Sequence, residues 1–234
     1  MSDTAPVFEL RRYRLQPEKR ERLLDLFERE FVEPQEQAGM TLHGLYRDRN
    51  DPDAFVWMRS FPDMARRKNA LSAFYGGEVW RRWGSEANDT MLNSDNVLLL
   101  KAAGNSLPFA GTYGTGGLVA VSVCSLAPGR EEDVAAEWER SCRPVLESCG
   151  ARIDAAFVTE RSVNSFPRLP VREGESVFVW ISAFPDEARY MQHTDRLARS
   201  PAWTGSAFAW LDAQLWRPLE TASLSPTRRS RHGW

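Results

Sequence analysis

An α+β chain built from one unit written twice is what this sequence predicts, on three observations. Phe55-Val56-Trp57-Met58-Arg59-Ser60-Phe61-Pro62-Asp63 returns as Phe178-Val179-Trp180-Ile181-Ser182-Ala183-Phe184-Pro185-Asp186, an offset of 123 residues. Leu15-Gln16-Pro17 with Phe27-Glu28-Arg29 matches Leu126-Ala127-Pro128 with Trp138-Glu139-Arg140 at an offset of 111. Self-similarity at long, fixed spacing marks a duplicated architecture. The offset grows by 12 between the two matches, so the second copy carries an insertion between Gly150 and Phe178. Finally, the apolar spacing in each copy runs strand, helix, strand, strand, helix, strand.

In the first copy, residues 7–15 alternate as a strand. Pro17 then opens a helix where its missing N–H costs nothing. Leu23, Leu24, Phe27 and Phe31 lie three to four apart and form its buried stripe, and Gly39 ends it. Residues 41–47 make a second strand and 48–53, rich in Asp, Asn and Pro, a turn. Residues 55–61 are a third strand. Pro62-Asp63 starts a helix that runs to about Tyr75, Gly76-Gly77 interrupts it, and a helical pattern resumes from Val79 to about Met91. Residues 97–100 close the sheet.

In the second copy, 118–126 is the first strand. Residues 131–148 form a helix with Val134, Trp138, Cys142 and Val145 on one face. Residues 152–159 and 176–184 are the middle strands, 186–198 and 202–211 are helical, and 214–217 is the closing strand. The insertion, 161–175, has the Pro and Gly content of a long mobile hairpin loop. The expected division is a first unit at 1–102, a Gly-rich linker at 103–117, a second, degenerate unit at 118–220 and a disordered tail at 221–234. This element order twice over gives two ferredoxin-like units, each an antiparallel sheet with its helices on one face. Their bare faces are expected to meet and form an α+β barrel within the chain.

Composition excludes several function classes. The formal net charge is -2 and the hydrophobic fraction 42%, which argues for a packed core and against nucleic acid or a membrane surface as partner. The basic run Arg228-Arg229-Ser230-Arg231 reads as solvated disorder. No run reaches the length of a membrane span, and the N-terminal residues lack the basic and apolar regions of a signal peptide. Cys124, Cys142 and Cys149 are odd in number and lack metal-ligand spacing. They read as reduced, buried thiols of a cytoplasmic protein.

Phe8-Glu9-Leu10-Arg11-Arg12-Tyr13, Leu15-x-Pro17, the Phe-Val-Trp strand and Phe74-Tyr75-Gly76-Gly77-Glu78-Val79-Trp80 resemble the NIPSNAP family, more closely over 7–101 than over 118–218. That family belongs to the dimeric α+β barrel superfamily. The resemblance implies a ligand cavity between helices and sheet or inside the barrel. It brings in the superfamily's chemistries: cofactor-free monooxygenases of aromatic polyketides, haem enzymes, and small-molecule isomerases.

Strand alternation sorts candidates by face. Phe8 and Leu10 are expected to pack on helices, as are Leu42, Gly44 and Tyr46. Glu9, Arg11, Tyr13, His43, Trp57 and Arg59 would then converge on the barrel side. In the second copy Glu9, Arg11 and Tyr13 become Ala120, Ser122 and Cys124, and Arg59 becomes Ser182, while Trp180 persists as the counterpart of Trp57. A buried Glu9–arginine pair that merely satisfies itself is the plain alternative.

Three functional readings follow. In the first, the protein is a cofactor-independent biosynthetic enzyme that oxygenates, cyclises or isomerises an aromatic or polyketide-like metabolite. Trp57 and Trp180 flank the substrate, with Tyr13, Tyr75, Trp80 and Tyr190 as further walls. Arg59 and Arg11 stabilise an enolate or phenolate, and His43, aided by Glu9, moves the proton. The second reading is a haem protein using His193 or His43. The third is a non-catalytic binding or scaffold protein. No metal site is expected. The expected partner is a small apolar or aromatic metabolite, with a homo-oligomer as an option.

Overall fold

The computed structural model describes residues 5–104, 106, 108, 109, 114 and 116–234. The chain divides into two compact units. One comprises Met1–Lys101, Glu160–Glu173 and Thr227–Arg231; the other comprises Ala102–Thr159, Gly174–Pro226 and His232–Trp234.

The first unit contains strands β1 (Val7–Leu15), β2 (Thr41–Asp48), β3 (Ala54–Phe61), β4 (Met91–Asn93) and β5 (Val97–Ala102). Its helices are α1 (Arg20–Leu26), α2 (Val32–Gln37), α3 (Met64–Gly76) and α4 (Glu78–Asn88), with a π-helical turn at Phe27–Phe31 joining the first two. The sheet order is β5-β1-β3-β2, antiparallel throughout, and β4 pairs with the end of β1. The second unit has β6 (Leu118–Ser125), β7 (Arg152–Thr159), β8 (Val177–Phe184) and β9 (Glu220–Pro226). Its helices are α5 (Glu131–Ser141), α6 (Arg143–Ser148), α7 (Glu187–Arg199) and, after a π-helical turn at Trp203–Ala207, α8 (Phe208–Asp212). Its sheet order is β9-β6-β8-β7, again antiparallel. Both orders place the last strand beside the first, then the third and the second, which is the ferredoxin-like arrangement.

The repeated sequence motifs have repeated local causes. The Phe-Pro-Asp that ends β3 and β8 supplies an N-cap: Asp63 accepts from the Arg66 amide and Asp186 from the Arg189 amide. Such a cap satisfies an otherwise orphaned helical N–H. Gly39 and Gly150 end their helices at φ +97° and +108°, a conformation other residues adopt only with strain.

Three expectations fail. The closing strand of the second unit is not 214–217, where Leu215 makes a single bridge to Leu126. Pro218 lacks an N–H for a ladder, and the pairing is taken up beyond it by β9. The expected disordered tail at 221–234 is therefore ordered. β9 lies on β6 with Leu224 buried and Thr221 Oγ1 3.1 Å from Ser122 Oγ, and its polar composition hid this. The basic run is anchored as well: Thr227 N donates to Leu45 O at 2.8 Å, and Arg231 reaches Glu36 at 2.7 Å. Finally, of the insertion at 161–175, expected as a mobile loop, all but the last two residues belong to the first unit. Asn164 is buried there, and Phe166 and Leu169 pack on its core. Much of the Gly-rich linker at 103–117 lies outside the described residues.

Candidate functional site

The register of β1 and β3 sets Glu9 opposite Arg59, Arg11 opposite Trp57 and Tyr13 opposite Phe55. All six side chains face the helices, not the opposite face as expected from the apolar Phe8 and Leu10. Trp57, Phe55 and Tyr13 pack with Leu23, Phe27, Phe31 and Phe74. The charged residues beside them are met by groups from the helix layer. Arg67 of α3 reaches Glu9, and Gln35 of α2 reaches Arg59.

Glu9 is the centre of this cluster. Its Oε2 accepts from Arg11 Nη1 at 2.9 Å and from Arg59 Nε at 2.7 Å; its Oε1 accepts from Arg67 Nε at 2.7 Å. All four side chains are fully shielded from water. Arg59 Nη1 continues to Gln35 Oε1 at 2.8 Å and Arg11 Nε to the Tyr13 hydroxyl at 3.0 Å. Arg67 Nη1 donates to Asn164 Oδ1 at 3.0 Å and to Ser165 Oγ at 3.2 Å, tying the insertion to the cluster. Burial alone would raise the Glu9 carboxyl, but Arg59, Arg11 and Arg67 together hold it far below the usual carboxylate range. Burial raises the Tyr13 phenol, against the opposing charge of Arg11. Glu9 is thus a fixed anion and Tyr13 a fixed phenol.

Directly against this cluster lies an aromatic-walled cavity of about 30 Å³, lined by Tyr13, Phe27, Phe31, Trp57, Phe74, Tyr75, Trp80 and Gln35 among others. Tyr75 and Trp80 approach to 4.6 Å across the break between α3 and α4 at Gly77. Phe166 of the insertion stacks on Tyr75 at 6.0 Å. As packed, the cavity holds about one water, so a metabolite enters only if this wall moves. Tyr13 also lines an open cleft of about 640 Å³ with Arg12, Arg14, Asp51 and Asp53.

Of the residues singled out in the sequence, Glu9, Arg11, Arg59, Tyr13, Trp57, Tyr75 and Trp80 come together here. His43 does not. It follows Leu42, which faces the helices, and so alternates to the other sheet face, where its Nε2 lies 2.8 Å from Ser60 Oγ and its ring 5.6 Å from Phe8. A bulge between Leu42 and Gly44 then adds a residue and reverses the alternation beyond it. Leu42 and Leu45 therefore face the helices while Tyr46 does not. The expected relay from His43 to Glu9 does not form. Trp180 packs within the second unit against Trp138 at 5.4 Å, and Tyr190 against Phe184 at 5.1 Å.

Arg67, Gln35 and Asn164 were missed by sequence reading. Arg67 left a signal: it lies three, four and seven residues before Ala70, Leu71 and Phe74, on the buried stripe of α3. Asn164, in a loop of the other repeat, left none. The histidines considered for haem lie outside this cluster. His43 is engaged with Ser60, and His193 is buried with its ring 4.9 Å from Phe184. Among the described residues no group of three or more His, Cys, Asp or Glu is placed to hold a metal ion. The three cysteines are free and buried, and no helix is long and apolar enough to cross a membrane.

Comparison with solved structures agrees with this architecture. The chain is similar to an anthrone oxidase-like protein (TM-score 0.68, 11% identity, 97% of this chain and 93% of that one). It is similar also to candidate monooxygenases from Fusobacterium nucleatum (TM-score 0.62, 10% identity, 99% and 97%) and Lactobacillus acidophilus (TM-score 0.58, 11% identity, 98% and 97%). At such identities the likeness establishes the fold and no activity. No protein of curated function matches the sequence. The fold is that of the α+β barrel proteins, here with the ferredoxin-like unit duplicated in one chain, and residues 8–104 match the model of the NIPSNAP family.

Proposed function

We propose that the protein is a cofactor-independent enzyme acting on a planar aromatic or polyketide-like metabolite by oxygenation, cyclisation or isomerisation. Its site would be the space between sheet and helices of the first unit. One observation carries this reading: an aromatic-walled cavity lies directly against three buried arginines held around a single carboxylate. Reactions of this kind pass through an enolate or phenolate, and preorganised cations stabilise that charge as it develops. The same field lowers the pKa of a bound phenol or enolisable CH2. The substrate can then lose its proton to water without a protein base, consistent with a Glu9 too acidic to serve as one.

Oxygenation on this plan needs only dioxygen. The carbanion of an activated CH2 is oxidised to C=O by four electrons; one oxygen atom enters the carbonyl and the other leaves as water. Tyr13, kept neutral by burial, would donate a hydrogen bond to the reacting oxygen. Tyr75 and Trp80, on either side of the Gly77 break, would admit the substrate by moving apart.

Aerobic incubation with anthrones, hydroxynaphthoates and β-diketones tests this, with oxygen uptake and product mass recorded. Turnover that falls at least a hundredfold in Arg59→Gln, with the fold intact by circular dichroism, supports it. Unchanged turnover in that variant rejects it. The absence of a protein base in the cluster favours one rival, a non-catalytic carrier of the same ligands. Saturable binding without turnover across the panel would select that rival.

A further inference from the structure

The Glu9 cluster buries more positive charge than its own carboxylate neutralises. Glu9 brings one negative charge and Arg11, Arg59 and Arg67 three positive ones, all shielded from water. No second carboxylate pairs with these guanidiniums among the described residues. In the second unit the matching positions, Ala120, Ser122, Ser182 and Tyr190, are neutral, so the fold does not require the charges.

Donors are left over as well. Arg59 uses Nε on Glu9 and Nη1 on Gln35, and Arg11 uses Nη1 on Glu9 and Nε on Tyr13. The remaining Nη2 of each, together with Trp57 Nε1, is buried without an acceptor among the described residues. Buried polar atoms in native proteins almost always have a partner, and orphans mark places where something else binds. Both guanidinium carbons lie near the Trp57 ring, at 5.4 and 4.9 Å from its centroid. Trp57, Tyr13 and Gln35 also line the aromatic cavity. Unused guanidinium nitrogens beside a flat aromatic wall suit the oxygen atoms of a planar anion.

We infer that this site binds its ligand as an aromatic anion, with a carboxylate, phenolate or enolate oxygen taken by Arg11 Nη2, Arg59 Nη2 and Trp57 Nε1. The inference rests on the small-molecule reading above and adds the ionic form of the ligand. The excess charge is then a binding device, whose removal relieves the free protein.

Thermal melting and calorimetric titration with 1-naphthoate and its neutral isostere 1-naphthamide test it. Naphthoate is expected to raise the melting temperature and naphthamide to leave it unmoved. Arg11→Gln is expected to weaken naphthoate binding at least tenfold while the free variant melts at or above the wild-type temperature. A purely structural arginine would instead lower it. Should Arg11→Gln fail to fold, that role is refuted for Arg11. Replacing Trp57 by its sulfur isostere 3-benzothienylalanine, which keeps the bicyclic ring and loses only its N–H, then decides for the site by a several-fold loss of naphthoate affinity or none. Equal binding of naphthamide overturns the anionic assignment and leaves the small-molecule reading standing. Binding of neither probe removes both.

Discussion

Glu9 shows how one residue can set the chemistry of its surroundings. A carboxylate inside a protein costs several kcal/mol in lost hydration unless it is paired. Here three guanidiniums overcompensate that cost, so the group stays ionised. Glu9→Gln would leave three buried cations with no counter-charge. A loss of about 3–5 kcal/mol is expected, the usual result of breaking a buried pair, and urea denaturation at pH 7 measures it. The sign of the pH dependence follows from the depressed carboxyl. The unfolded chain binds a proton near the ordinary value of 4.5 while the folded chain does not. Stability from this group is complete above that value and drains away as pH falls below it. The wild type is therefore expected to lose stability steeply below pH 4.5, and the Glu9→Gln variant, lower throughout, to show a shallower slope. His193 acts at higher pH. Burial depresses it below 6.5, so its contribution is present above that value and lost as pH falls through it. His193→Leu is expected to flatten the stability profile between pH 7 and 5.5.

At the scale of elements, the helices and the order of strands were legible because period and capping residues are local. The direction of each strand's faces was not. In β1, Phe8 and Leu10 carry the apolar signature of a core face, yet Glu9 and Arg11 are the side chains buried under the helices. Parity reading gives the helices the apolar side chains, and a carboxylate ringed by buried guanidiniums defeats that assumption. In β2 and β7 the bulges after Leu42 and Ile153 reverse the alternation partway along the strand, and no residue type announces them. Gly44 has a local reason of its own: a Cβ there would lie 1.9 Å from the Tyr46 hydroxyl. The insertion was misread for a related reason. Its Pro, Gly and charged residues look mobile, but Asn164 is bound to Arg67 on one side and to Leu169 O, at 2.9 Å, on the other. Asn164→Ala is expected to cost about 1–3 kcal/mol, the penalty for leaving a buried donor short of an acceptor. It should also raise hydrogen exchange across residues 161–173 more than in β1 or β3. Uniform exchange would mean that other contacts hold the segment.

At the scale of the whole molecule, duplication freed one copy to hold charge while its twin, with Ala120, Ser122 and Ser182 at the matching positions, kept an apolar interior. That division was visible by aligning the copies; the destination of the last residues was not, because their partners are far away in sequence. Residues 227–231 complete the first unit and 232–234 the second. In the first, Thr227 N and Arg231 N donate to Leu45 O and His43 O, Ser230 Oγ accepts from Leu45 N, and Arg229 meets Glu28 and Glu33. In the second, His232 Nε2 lies 2.9 Å from Asp154 Oδ2, and the Arg152 guanidinium 4.4 Å from the Trp234 ring. Two kinds of force could hold the tail, and their sizes differ. Exposed ion pairs contribute about 0–1 kcal/mol each and are screened by salt. Backbone hydrogen bonds and buried side chains contribute about 1 kcal/mol or more apiece and are not. Truncation after Pro226 is therefore expected to lower stability by a few kcal/mol at any ionic strength. The double substitution Arg229→Gln, Arg231→Gln is expected to lower it by less than about 1 kcal/mol, and only in low salt. Denaturation of the three proteins at low and high sodium chloride separates the cases. A double variant as damaged as the truncation would show that charge, not pairing along β2, fastens the end of the chain.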